Sequence, residues 1–390
     1  LKPFQVIPSR IVVSLNMKVV IIGAGVAGLG IGWRLAQQRV ETVVLERAQP
    51  ARGATWASAG MLAAPNASGD RNDAEAQLGR RGAALWPVFA AEIEGVSSRK
   101  IAYAQNGGLL VARTPAEEDA LRGMAEQGAG EVLSQEDTRK YEPRLAPDML
   151  AALWNPKQAK VDNRALGRAL AAAFVRVGGH LQLNEAAVRF ELSGDRIAGV
   201  RTPFALHVAD AYVLAAGAWS ARIEGLPREA LPPVIPVKGE MLALAPPAGE
   251  TLPGPAIGGG DIYLVSQRDR LLIGATVERM GFDSSLTEKA SELLCMQAIA
   301  LMPCVRGWPV VEHWAGLRPG SPDDLPIVGE CVLPGLFVAS GQYRNGVLYG
   351  PAIAEAVSAM VVGNAAPPYF SAFDPKRFDT HASFATEYSE

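Results

Sequence analysis

The chain is expected to fold as a parallel-sheet α/β domain interleaved with an α+β domain built on an antiparallel sheet. Three observations predict this. From residue 18 to 46 an apolar run, a glycine-rich turn, an amphipathic segment and a second apolar run follow one another, the order of a βαβ unit. Residues 234–276 instead alternate apolar and polar side chains, as half-buried antiparallel strands do. A further short apolar run at residues 335–339 returns to the first pattern, so the parallel sheet resumes after the alternating block. A chain of 390 residues is also too long for one compact core.

Each element follows from local pattern. Residues 18–22 (KVVII) form a continuous apolar run ending in glycine, the mark of a strand buried on both faces. Residues 26–38 read as a helix, with Leu29, Trp33, Leu35 and Ala36 set against Arg34, Gln37 and Gln38. Residues 42–45 (TVVL) are a second buried strand, closed by Glu46. Residues 51–64, rich in Gly, Ala and Ser, read as a loop pressed against something flat. Helices are expected at 75–94 and 115–128 with a strand at 108–112 between them, and at 163–177, stopped by Gly178 and Gly179. Strands follow at 186–190, 199–201 and 211–215. Within the alternating block the segments KGEMLALAP, DIYLVSQ and RLLIGAT read as three strands. A helix at 286–300, the strand at 335–339 and a helix from about Pro351 to 362 complete the order. The expected division is an extension at 1–16, a discontinuous dinucleotide-binding domain (17–80, 145–230, 310–365), a substrate domain (81–144, 231–309) and a tail at 366–390.

Composition narrows the function classes. The chain is 49% hydrophobic and 20% charged, with a net charge of −3 and no Lys/Arg run longer than two, so nothing electrostatic points to nucleic acid. Cys295, Cys304 and Cys331 form no C-x-x-C pair, and the four histidines lie at no metal-ligand spacing, so neither a disulfide framework nor a metal site is expected. No run reaches the roughly 18 apolar residues of a membrane span. Residues 1–16 lack the long apolar stretch of a signal peptide and read as an upstream extension before Met17, with a cytoplasmic location expected.

Gly23-Ala24-Gly25-Val26-Ala27-Gly28 is G-x-G-x-x-G between a strand and a helix. The first glycine makes the tight turn, the second lets backbone approach a pyrophosphate, and the third lets the helix pack on the sheet. Glu46 stands where an acid binds both ribose hydroxyls and repels a 2′-phosphate, which disfavours NADP. The motif by itself does not separate NAD from FAD.

The later segments do. GAGVAG, then ATWASAGMLAAP (54–65), VLAAGAWS (213–220), PVKGEML (236–242), HWAGLRPGSPDDLPIVG (313–329) and ASGQYRNGVLYGPA (339–352) occur in that order. This order resembles the glycine oxidase branch of the D-amino acid oxidase-like flavoproteins, above all the glycine oxidases associated with thiamine biosynthesis. It covers residues 17 to about 363, and its last two motifs are the most specific. The resemblance implies an α/β FAD-binding (Rossmann-like, parallel-sheet) domain, non-covalent FAD, a small amino acid or amine as substrate, and O2 or another acceptor. A homo-oligomer is left open. Cys331 is the nearest candidate for a flavin tether such as related sarcosine oxidases have, but a small buried residue is the better reading.

By the same resemblance Arg318 holds the substrate carboxylate, Arg344 lies beside flavin and substrate, and Tyr263 hydrogen-bonds the carboxylate. A guanidinium suits that task because it forks onto a carboxylate and keeps its charge when partly buried. On the residues alone, the lesser alternative for Arg318 is to brace its turn against Asp323 or Asp324, and Tyr263 could face an inter-domain core. The cofactor set implied is Gly23, Gly25, Val26, Ala27, Gly28, Glu46, Arg47, Thr55, Ser58, Ala59, Gly60, Met61, Val188, Ala216, Gly217, Trp219, Gly341, Arg344, Asn345, Gly346, Val347 and Leu348. The helix start after Gly341 would favour the electron-rich pyrimidine edge of reduced flavin. Lys238 and Glu240 are noted in PVKGEML without a catalytic role. Trp56 and Tyr349-Gly350 depart from the family pattern and are expected to reshape the pocket.

No Ser/His/Asp or Cys/His triad can be put together, in keeping with chemistry carried by a cofactor. The expected reaction is hydride transfer from a neutral amine to flavin N5, with hydrolysis of the imine to a 2-oxo acid. The alternatives are a dehydrogenase that passes electrons to a quinone, with a D-proline-like substrate, and a flavin-binding subunit without turnover.

Overall fold

The computed structural model describes residues 17–63 and 73–378; the expected extension 1–16 and the end of the expected tail lie outside them. A six-stranded sheet runs in the order Ile327–Glu330, Leu336–Ser340, Ala211–Leu214, Lys18–Ile22, Glu41–Glu46, His180–Leu183. Its neighbours are parallel except for the edge pair Ile327–Glu330 and Leu336–Ser340. Alternation sends Val19, Ile21, Val44 and Val213 to one face and Val20, Ile22, Val43, Leu45, Tyr212 and Leu214 to the other. Both sets are buried, which is why these strands read as unbroken apolar runs.

Helices Val26–Gln37, Asp73–Ser97, Asn163–Arg176 and Gly346–Val361 share the core on the first face, around Trp33, Trp86, Phe89 and Phe174. A three-stranded sheet, Arg189–Ser193, Arg196–Arg201 and Leu206–His207, covers part of the second face through Phe190 and Val200.

The second large sheet has eight strands, ordered Val310–Gly320, Ile235–Leu244, Arg270–Gly274, Ile262–Gln267, Ala256–Gly259, Gly108–Ala112, Ala151–Asn155, Glu131–Ser134. All pairings are antiparallel except Ala256–Gly259 with Gly108–Ala112. That parallel join unites two stretches far apart in sequence, a connection that a hairpin cannot make. Ala151–Asn155 and Val310–Gly320 fall in this sheet, although the expected boundaries group them with the dinucleotide-binding part. Helix Glu288–Leu301 buries Leu294, Ala298 and Leu301 against one face with Leu242, Leu264 and Ile273. The opposite face carries Met241, Ala243, Val265, Leu272 and Trp314 and turns toward the first domain.

Two local expectations need correction. The stretch read as a loop at 51–64 contains one helical turn, Ala54–Ala57, and a two-residue strand, Met61–Leu62, paired with Ala159–Lys160. The last helix starts at Gly346 rather than Pro351. Tyr349 N–H donates to Asn345 O (2.9 Å), so the turn before the proline is already closed and the helix tolerates one missing bond at Pro351.

Candidate active site

A cleft of about 1260 Å³ opens between the two sheets. Its wall at one end is the glycine loop. Gly23 has φ +102°, and a Cβ there would lie 2.5 Å from Ala215 O; a Cβ on Gly28 would lie 2.0 Å from Gly23 O. These two glycines are required by the packing of strand, loop and helix. Gly25 differs. Among the described residues a Cβ there would meet only Thr55 Oγ1, at 3.6 Å, and Gly25 lines the cleft. The protein itself leaves that room, and a ligand pressed onto the helix N-terminus would use it.

Around this loop, Glu46 accepts from Ala24 N–H (2.9 Å) and Ala48 N–H (3.1 Å), and Thr55 Oγ1 accepts from Val26 N–H (3.1 Å). Asn163 Nδ2 donates to Thr55 O and Trp56 O, both at 2.8 Å, which fixes the turn Ala54–Ala57 against the glycine loop. The Arg47 guanidinium lies 3.6 Å from the centre of the Trp219 ring. Gly60 has φ +71° with Val161 O in the space of its missing Cβ, so the backbone of Ser58, Ala59, Gly60 and Met61 is pinned along the wall.

The middle of the cleft is met by a second helix N-terminus. Helix Gly346–Val361 has Asn345 as N-cap without a capping side-chain bond, and Arg344, Asn345, Gly346 and Val347 line the cleft. Gln342, 7% exposed in the same wall, has an Nε2 with no acceptor among the described residues. Two helix starts aimed at one cavity, neither capped by the side chain of its own N-cap residue, favour negative charge there. Side chains reinforce this: Arg47, Arg52, Arg222, Lys289, Arg318 and Arg344 line the cleft against Glu46, Asp261 and Glu278.

At the far end stand Arg318, Tyr263 and Arg344. Strand Val310–Gly320 places Arg318 opposite Val237 and beside Gly239, whose missing Cβ would lie 2.3 Å from Arg318 Nη1. Arg318 Nη1 donates to Lys238 O (3.1 Å) and Thr276 O (3.0 Å), and among the described residues no carboxylate pairs with it. Asp323 does not brace it: that carboxylate binds Arg377 instead, at 2.9 and 3.1 Å. Burial lowers the pKa of Arg318 from its ordinary value; nearby Tyr263 opposes that shift and Arg344 adds to it. Tyr263 faces the cleft, its hydroxyl 3.8 Å from Met241 Sδ. Burial raises its pKa against the pull of Arg318 and Arg344, so the phenol is a donor at neutral pH.

Gly28, Val188, Gly341 and Leu348 do not line the cleft. Gly28 and Gly341 shape turns; a Cβ on Gly341 would meet Ile327 at 2.8 Å. Leu348 is buried under helix Asp73–Ser97, its carbonyl accepting from Trp86 Nε1 (3.1 Å). Val188 is 43% exposed, and Ala186 and Ala187 line the wall in its place. Neither family departure reaches the pocket. Tyr349 turns away and donates to Glu75 Oε1 (2.6 Å), while the Trp56 ring centre has the Arg52 and Arg164 guanidinium carbons at 4.3 and 3.8 Å. Cys331 is 3% exposed beside Ala230 and is absent from the cleft wall. Thr276, Glu278, Lys289, Leu293 and Gln297, which no sequence motif marks, also line the cleft. Helical periodicity announces residues 288–301 as a helix but not which side of it meets a cavity.

The cleft fits an extended dianionic dinucleotide: a glycine left open at one helix start and a buried amide without a partner among the described residues beside the other line the same cavity. Comparison with known proteins agrees. The bifunctional protein ThiO/ThiG of Trichormus variabilis is 34% identical over 95% of this chain and 56% of its own length, so the chain spans about half of that relative. Glycine oxidase of Pseudomonas aeruginosa is 31% identical over 90% of this chain and 96% of its own. The crystal structure of glycine oxidase from Geobacillus kaustophilus has a TM-score of 0.86 at 29% identity, covering 93% of this chain and 99% of that one. A family model described as FAD dependent oxidoreductase matches residues 18–360. The chain belongs to this DAO family of FAD-dependent oxidoreductases.

Proposed function

We propose that the chain catalyses oxidative deamination of glycine or another small amino acid or amine, such as sarcosine or a small D-amino acid. The observation that carries this reading is Arg318, a partly buried guanidinium in the cleft with carbonyl partners and, among the described residues, no carboxylate of its own. Buried charges are normally paired, so one left open marks a place for an anionic ligand. Arg318 would fork onto the substrate carboxylate, with Tyr263 donating to the same group and Arg344 closing the pocket from the helix-start side. Bound FAD would take up two electrons from the Cα–N unit and pass them to O2, giving H2O2. Water adds to the resulting imine and releases a 2-oxo acid with ammonia or an amine.

The chain's own part is to bind, orient and exclude water. Residues 58–61 would cover one face of the flavin, and the starts of helices Val26–Gln37 and Gly346–Val361 would sit at the pyrophosphate and the pyrimidine edge. The relatives named glycine oxidase support the substrate class, and the ThiO/ThiG relatives support a supply role in thiamine biosynthesis. The same reading assigns the six-stranded sheet with its helices to FAD and the eight-stranded sheet, including Ala151–Asn155 and Val310–Gly320, to substrate. A cytoplasmic location is part of the proposal. Among the described residues, no helix is long and apolar enough to cross a membrane.

The test is a substrate panel on the purified yellow protein without oxygen. Glycine, sarcosine or a small D-amino acid should bleach the flavin, and admitting air should release peroxide. If no amino acid or amine bleaches it, the reading fails.

A further inference from the structure

Two deeply buried charges stand behind Arg318. Lys238 is 2% exposed and Glu240 0%. A buried ion pair is no better for stability than apolar packing of the same shape, so its presence asks for another reason. Strand Ile235–Leu244 puts Lys238 and Glu240 on one face and Gly239, across which the Arg318 guanidinium lies, on the other.

Lys238 Nζ lies 2.8 Å from Glu240 Oε1 and 3.6 Å from Glu278 Oε2. Glu240 also accepts from Thr287 N–H and Thr287 Oγ1, both at 3.0 Å, and pairs with His313 Nε2 at 2.7 Å. That fills the acceptor sites of one carboxylate. Thr276 Oγ1 donates to Glu278 Oε1 (2.7 Å) and accepts from Glu240 N–H (2.9 Å). Lys238 and Glu278 exchange backbone hydrogen bonds at 2.9 and 3.0 Å. The cluster therefore ties residues 276–278 to strand Ile235–Leu244. The two carbonyls that hold Arg318, Lys238 O and Thr276 O, come one from each tied segment.

We infer that Lys238 is a positioning residue for Arg318: its ammonium fixes Glu240 and Glu278, which sets the carbonyl seat of Arg318 and keeps Glu278 off its guanidinium. The inference rests on the reading of Arg318 as the carboxylate clamp. Burial pulls Lys238 down and Glu240 up, yet their pairing outweighs it and leaves Lys238 raised and Glu240 lowered, so both stay charged near neutrality. Glu278 lines the same cleft as Arg318. Without the ammonium, its carboxylate competes with a ligand for that guanidinium.

The test uses the FAD-loaded enzyme, with acetate as an unreactive carboxylate whose binding is read from the flavin spectrum. Lys238→Met should weaken acetate and raise KM by about tenfold or more while kcat changes little and flavin stays bound. Lys238→Met/Glu278→Gln should regain most of the acetate affinity, because the competing charge is gone. A lowered melting temperature with unchanged acetate affinity, or a double variant no better than the single one, overturns the inference. If Lys238→Met does not fold, Glu278→Gln alone decides: acetate should bind as tightly as in wild type or tighter, and weaker binding overturns it. Failure of the underlying reading is distinct, since wild type itself would then bind no acetate, and the inference would fall with it.

Discussion

At the scale of residues, Arg318 shows how a charge is held ready. Its seat consists of two carbonyl oxygens, which orient the guanidinium without neutralising it. Arg318→Ala should raise KM about ten- to a hundredfold, the loss expected for a charge-assisted contact, while the flavin absorbance of the purified protein is unchanged. An unaltered KM would remove the clamp assignment. Gly239→Ala offers a subtler check. The added methyl would fall 2.3 to 2.5 Å from the Arg318 guanidinium, which is a flexible side chain and can move. The melting temperature should therefore stay near wild type while KM rises about tenfold or more, since small displacements at a site are amplified in rate. Arg318, Arg344 and Tyr263 were legible in the sequence because each sits in a motif with a recognisable neighbourhood. Their surroundings were not. Lys238 and Glu240 are two apart, which reveals a shared face, but Glu278, Thr287 and His313 reach them across the sheet and from a loop. Side-chain direction was also hidden: Tyr349 and Trp56 looked like pocket residues and point elsewhere.

At the scale of elements, the three glycines of residues 23–28 separate folding from binding. Gly23 and Gly28 face protein backbone at 2.5 and 2.0 Å, whereas Gly25 faces open cleft apart from Thr55 Oγ1. Gly25→Ala should fold with the apoprotein melting temperature unchanged and lose FAD affinity about tenfold or more, by titration of apoprotein. Gly23→Ala should instead lower the melting temperature even without FAD, because a methyl cannot be fitted at φ +102° against Ala215 O. Equal behaviour of the two variants would contradict this division. The elements themselves were largely readable, since doubly buried strands give unbroken apolar runs and the eight-stranded sheet gives alternation. The failures were local. Pro351 suggested a helix start, yet the helix was already closed before it. The parallel join of Gly108–Ala112 with Ala256–Gly259 left no trace, because pairing between distant strands carries no local pattern.

At the scale of the whole molecule, one cluster clamps the two sheets together. Arg164, on a helix of the first domain, lies 3.8 Å from the Trp56 ring centre and 4.9 Å from that of Trp314, and its fork meets Glu312 at 3.0 and 2.7 Å. Arg270 binds the same carboxylate. Burial raises the pKa of Glu312, but both arginines outweigh it and hold it below its ordinary 4.5. A carboxylate depressed in the folded state adds stability that is complete above its unfolded pKa and lost as pH falls through the folded one. Urea unfolding should thus give a plateau from pH 7 to about 5 and a decline below about 4.5. Glu312→Gln should be about 1–3 kcal/mol less stable on the plateau, and the gap should close in acid; a constant gap at every pH would refute the ion-pair origin. The strand that carries Glu312 also carries Trp314, Gly316 and Arg318 on one face, in unbroken register with Ile235–Leu244 up to the irregularity at Ala243 and Leu244. It acts as a ruler: the distance from the inter-sheet clamp to the carboxylate site is counted in residues, and a shift by one turns every mark to the wrong side. Inheritance of this chain should therefore tolerate many substitutions along the strand but no change in its length. In an insertion scan selected for activity, single-residue insertions between Glu312 and Arg318 should vanish, while those in the exposed turn at 247–250 should survive.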